Sequence, residues 1–170
     1  MIKKFIIFLA IILNINSASA LENSDYNLDN LVVIGEYKLK IYGFKIYNIK
    51  LLGENKNFSY NQKLALNIHY NRDFSKKDLV ETSLDEISRI NQISKNELEL
   101  YKSSLEEIFV SVKKGDEKTA IFDPNFGLIL YHNQKLSGKI ADKIFAQRFF
   151  DIWLSESAKF LKMRNKLINK

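Results

Sequence analysis

Apolar and polar side chains alternate strictly from Tyr37 to Ile41: Tyr37, Leu39 and Ile41 share one face, Lys38 and Lys40 the other. A period of two predicts a half-buried β-strand. Gly43 interrupts the pattern, and FKIYNIKLL resumes it with Phe44 and Ile46 in phase. Ile49 and Leu51 then fall out of phase, which predicts a β-bulge near Tyr47–Asn48. After the turn cluster GENKN at 53–57, KLALNIHY alternates again. It places Leu64, Leu66, Ile68 and Tyr70 inward, with Ala65, Asn67 and His69 on the opposite face.

Beyond Tyr70 the period lengthens to that of a helix. Val80, Leu84 and Ile87 form one apolar stripe; Leu98, Tyr101, Leu105, Ile108 and Phe109 form a second. Each stripe is preceded by a start signal. Ser75 with Asp78, and Ser94 with Glu97, have the spacing of capping boxes that satisfy free amides at a helix N-terminus. KKGDEK at 113–118 reads as a turn, TAIFD as a strand, and Pro124 marks the next turn. FGLILYHN and KLSGK flank Asn133–Gln134 as a hairpin that ends at Gly138. Asp142 is placed to cap the helix KIFAQRFFDIWL, and a basic helix finishes the chain. Strands, two helices, strands and helices in that order indicate an α+β fold with an antiparallel sheet.

The N-terminus changes the picture of where this domain begins. Lys3 and Lys4 precede a nine-residue apolar run, Phe5 to Leu13, and Ala18 and Ala20 follow in a small-x-small arrangement. This is the pattern of a secretory signal over 1–20, leaving a domain at 21–170 in the periplasm. Nine apolar residues fall short of the roughly twenty that span a bilayer, and no later run is longer, so no transmembrane segment is expected after signal cleavage. With no cysteine in the chain, lipid anchoring through a thiol, disulfides and thiolate chemistry are excluded. The formal net charge is +6, yet lysines interleave with acids, as in KKDLVETSLDEISR. That is a solvated helix face rather than a nucleic-acid surface, and export points away from nucleic acid as well.

Candidate chemistry is sparse. His69 and His132 stand apart from one another and from any metal-ligand spacing. Neither a nucleophile elbow nor a phosphate-binding glycine loop is present. No catalytic residue, metal or cofactor is therefore expected. His132 beside Asn133 reads as part of a hairpin tip. Tyr37, Tyr42, Tyr47 and Tyr70 admit two readings, an amphipathic ligand pocket or ordinary strand packing.

The stretch YHNQKLSGKIADKIFAQRFFDIWL resembles the closing signature of bacterial chalcone isomerase-like proteins. LALNIHYNRDFSKKDLVETSLDEI resembles the middle of the same family, and IYGFKIYNIKLL its early hairpin. The resemblance implies an open-faced β-sandwich, an antiparallel sheet covered on one face by helices, with Trp153 as a core anchor. True chalcone isomerases use an arginine in the early hairpin, a threonine on the next strand, and a tyrosine and asparagine around the first long helix. This chain has no arginine before Arg72, carries Tyr47 at the threonine position, and has SKKDLVETS at the helix opening. The resemblance thus implies a non-catalytic protein binding a small apolar or carboxylate ligand, fatty-acid-like, between sheet and helices. Lys38, Tyr47, His69 and Arg72 are its candidate ligand-binding residues. Two alternatives remain open: an isomerase or intramolecular lyase using Tyr47 and a lysine for proton transfer, and a structural partner of an envelope protein.

Overall fold

The computed structural model describes residues 27–170; the expected signal at 1–20 lies outside them. Six strands form one antiparallel sheet in sequence order: β1 (Val32–Ile41), β2 (Phe44–Gly53), β3 (Leu64–Tyr70), β4 (Glu117–Asp123), β5 (Gly127–His132) and β6 (Lys135–Ile140). Helices α1 (Lys76–Ile90) and α2 (Lys95–Ile108) sit between β3 and β4, and α3 (Lys143–Leu154) and α4 (Leu161–Leu167) follow β6. This is the α+β open-faced architecture expected from the sequence.

The alternation explains which face the helices cover. In register, Ile49 pairs with Ile68 and Leu51 with Leu66, Leu66 with Ala120, and Ala120 with Leu130. These side chains share a face and join buried helix residues such as Ile87, Leu105, Phe145, Phe150 and Leu167 in one core. On the opposite face Ala65, Ile121 and Tyr131 form a small buried cluster against Leu28 and Leu31. Lys38, Lys40, Lys50 and His69 are exposed.

The predicted bulge exists one residue earlier than expected. Leu39 pairs with Tyr47 but Lys40 with Lys45, so Ile46 is the extra residue. A second register shift, around Ile34, left no sequence signal that alternation could reveal. Two boundaries differ as well. The turn expected at 113–118 ends sooner, because Glu117 and Lys118 already pair with β3 and β5, and β6 continues past Gly138 to Ile140.

The caps form as the spacing requires, with one difference. Ser75 and Asp78 make both halves of the capping box, and Asp142 accepts a 2.9 Å hydrogen bond from the Phe145 amide. Ser94 accepts from the Glu97 amide, but the Glu97 carboxylate is drawn to Arg148 and Tyr101, tying α2 to α3. Asn133 and Gln134 take positive φ angles of 48° and 66°, the two-residue turn whose twist suits a hairpin.

Gly35 has no Cβ because α4 crosses β1 there: a Cβ would lie 2.1 Å from the Lys166 carbonyl oxygen. Gly35→Ala is expected to lose about 1–3 kcal/mol of stability by overpacking this crossing, read as a lower denaturant midpoint at unchanged m-value. A midpoint equal to wild type would show that α4 can move away without cost.

Candidate ligand cavity

Helices α2, α3 and α4 pack directly on strands, whereas α1 packs chiefly against α2 and α3. Its stand-off from the sheet leaves a cavity of about 280 Å³, near the lower edge of the roughly 300–1,000 Å³ typical of small-molecule sites. The floor is the sheet, with Leu39, Tyr47, Ile68, Tyr70, Ala120 and Leu130; α1 and α3 form the roof through Leu79, Ser83, Phe149 and Trp153. Met163 of α4 and Phe160 before it close one side. Ile41, Asp78, Thr82 and Lys159 line the cavity and are exposed, so they mark its mouth.

The bulge matters here. By inserting Ile46 it lets two consecutive residues, Ile46 and Tyr47, both reach the cavity wall. Tyr47 is held by Trp153, whose indole Nε1 donates to the phenol oxygen at 3.1 Å, and its ring meets Tyr70 edge-on at 6.2 Å. Burial pushes the Tyr47 phenol up to about 12, despite the opposing hydrogen bond from Trp153, so it is neutral at ordinary pH. Tyr70 is likewise shifted upward by burial.

The wall carries Ser83 and Glu86, whose carboxylate pairs with Arg89 and Lys159, and one buried lysine, Lys118. The residue is 4% exposed, and its Nζ has no hydrogen-bond partner among the described residues. The ammonium lies over the Phe109 ring, 5.0 Å from its centroid. Burial lowers its pKa from 10.5 to about 8, with Asp116 acting in the opposite direction. Asp116 is itself committed to Asn133 and the Lys113 amide. The neighbouring strand residue His132 has Nε2 at 3.6 Å from Asp116. Burial, then the Lys118 charge, hold its imidazole below the ordinary range, with Asp116 opposing.

Of the four sequence candidates, the structure brings Tyr47 alone to the cavity. Lys38 and His69 lie exposed on the opposite face of the sheet, level with Asn48 between them. Arg72 is exposed beyond β3 with its guanidinium over the Phe44 ring, 5.1 Å from the centroid, and Asp73 binds Lys113 and Lys114 instead. Trp153, expected as a core anchor, is half-buried at the cavity wall. Sequence reasoning missed Lys118 because a lysine beside GDE reads as turn. Its phase with Ala120 and Phe122 was the available signal, since alternation in KTAIF places all three on the inner face.

An open-faced sheet under helices, enclosing an apolar cavity with one buried cation, defines the class of fold and site. The chalcone isomerase-like family model matches residues 13–169, and the chain belongs to that family. No curated protein sequence matches it. Among solved structures it is similar to an Arabidopsis thaliana fatty-acid binding protein. The TM-score is 0.62 and the identity 10%, over 83% of this chain and 88% of the other. At that identity the likeness is one of fold.

A buried ammonium without a salt bridge among the described residues, offset only in part by Asp116, opposes folding. The shift from 10.5 to about 8 corresponds to about 3 kcal/mol against the folded state. The cost is fully present below pH 8, because both states then carry the proton, and disappears above 10.5, where neither does. Lys118→Met is therefore expected to stabilise the ligand-free protein at neutral pH by up to about 3 kcal/mol. The difference between the two proteins should shrink as pH rises through that window. Denaturant melts at neutral and alkaline pH check it, and a destabilised Lys118→Met at neutral pH would contradict it.

Proposed function

We propose that the chain binds a small amphiphile with an apolar body and a carboxylate head, fatty-acid-like, and that Lys118 holds the carboxylate. The observation that carries this reading is a buried ammonium, without a hydrogen bond among the described residues, in a predominantly apolar wall. A carboxylate supplies a hydrogen-bonded counter-ion where the fold offers only the Asp116 charge, and at a largely buried lysine a charge-assisted hydrogen bond is strong. The aromatic and aliphatic lining accepts the body of such a ligand by burial alone. The fold likeness to the Arabidopsis thaliana fatty-acid binding protein supports the same class.

Binding rather than catalysis is the better reading of Tyr47, the sequence candidate for proton transfer. Its hydroxyl is neutral, accepts from Trp153 and faces the Met163 sulfur at 3.8 Å, an arrangement that holds the ring in place rather than freeing a base. The cations lining the cavity, Lys118 and Lys159, are both lysines, which lack the planar fork of an arginine clamp. We also propose export to the periplasm, on the basic start, the apolar run Phe5–Leu13 and the Ala18-x-Ala20 exit.

Trp153, the sole tryptophan, reports on the cavity from within. Titration with decanoate is expected to change its emission saturably. Lys118→Met should weaken decanoate by about tenfold or more and leave decanol unchanged. Decanoate affinity should be level between the ligand's own titration, at about pH 4–5, and pH about 8, where Lys118 is charged, and fall as pH rises above that. Equal decanoate affinity in wild type and Lys118→Met would refute the assignment of Lys118, and no binding of either compound would refute the cavity reading.

A further inference from the structure

The turn between β1 and β2 is built against its own backbone preference. Tyr42 and Gly43 take φ angles of 49° and 83°, a left-handed pair for which Asn-Gly is the favoured sequence. A tyrosine stands where asparagine would suit, and its side chain gives the fold nothing in return, being 96% exposed. Phe44 beside it is 61% exposed and Ile41 37%. Three large apolar side chains thus project from one hairpin tip.

The surroundings of the tip are cationic. Lys40 and Lys45 flank it directly and are exposed. Arg72 covers Phe44, and the Asn71 amide bonds to the Ile46 carbonyl, which brings the chain after β3 to the same edge. Lys113 and Lys114 reach that edge through Asp73. Against these five cations stand Asp73 and Asp116, each already engaged by lysine or asparagine partners, and Asp78 at the cavity mouth, whose carboxylate is held by Ser75. Ile41 and Ile46 are also part of the cavity lining, so tip and mouth are continuous.

We propose that the β1–β2 hairpin tip is a membrane-docking element that inserts Ile41, Tyr42 and Phe44 into the interface of an anionic lipid bilayer. The aromatic rings sit at headgroup level, where an apolar body with a polar end is favoured. The lysines and Arg72 meet the anionic headgroups while their stems lie along the apolar boundary. Docked in this way, the cavity mouth faces the bilayer, and an amphiphile can pass between membrane and cavity without crossing open water. Docking goes beyond ligand binding and stands whether or not Lys118 holds a carboxylate.

The test is partition of the full chain onto vesicles of equal parts phosphatidylcholine and phosphatidylglycerol, with pure phosphatidylcholine as reference. Wild type is expected to favour the anionic vesicles and to be released by salt. Lys40→Gln with Lys45→Gln should weaken partition by about fivefold per charge. Tyr42→Asn with Phe44→Ser should weaken it by about tenfold or more without lowering the melting temperature, because asparagine suits the turn. Tyr42→Trp gives a local readout independent of the N-terminal segment. Lipids brominated along their acyl chains should quench its emission beyond the wild-type level set by Trp153. Quenching no greater than wild type, or partition unchanged in Tyr42→Asn with Phe44→Ser, would overturn the proposal. So would self-association abolished by those two substitutions with no vesicle binding, since the tip would then serve a second copy of the chain.

Discussion

One face of the six-stranded meander must be kept from water, and the placement of every helix follows from that need. Strand alternation concentrates Leu39, Ile49, Leu51, Leu64, Leu66, Ala120, Phe122, Leu128 and Leu130 on the inner face, and burial of such surface is the main favourable term in folding. Three helices meet it directly. The fourth, α1, rests on its neighbours, and the space beneath it is the cavity. The site is therefore a consequence of how the cover is distributed, not an addition to a finished core.

Within that space the fold keeps a lysine that weakens it. Lys118 is buried and charged, without hydrogen bond or close counter-ion among the described residues, and a methionine of similar length would satisfy the same volume. Local costs of this kind gather where a protein must recognise something. The Tyr42 turn has the same character: an aromatic held in a conformation it disfavours, with no packing in return. Inner cation and outer aromatic tip lie at the same end of the sheet, joined by Ile41 and Ile46 along the cavity wall.

The order of elements, the caps at Ser75 and Asp142 and the inward faces of β2 and β3 were legible in the chain because each rests on local periodicity or on a backbone amide three residues away. The bulge was legible to within a residue, since a phase break shows that an extra residue exists but not which one. Lys118 was not read as a strand residue, because a lysine next to Gly-Asp-Glu obeys turn chemistry as readily as it obeys alternation. Arg72 and His69 drew notice as isolated chemical groups, and both face solvent in the structure. Alternation had set His69 on the face opposite Leu66 and Ile68, where it lies, but Arg72 follows β3, where no period assigns a face.

Taken alone, the sequence determined the α+β class, the antiparallel sheet and its inward face, because these follow from periods of two and 3.6 within single segments. Tertiary structure alone decided that α1 stands off the sheet, that Tyr47 meets Trp153 across 106 residues, and that the Lys118 ammonium is left without a hydrogen bond among the described residues. Those outcomes depend on the volumes of side chains brought together from distant segments, and no local pattern encodes the gap that remains between them.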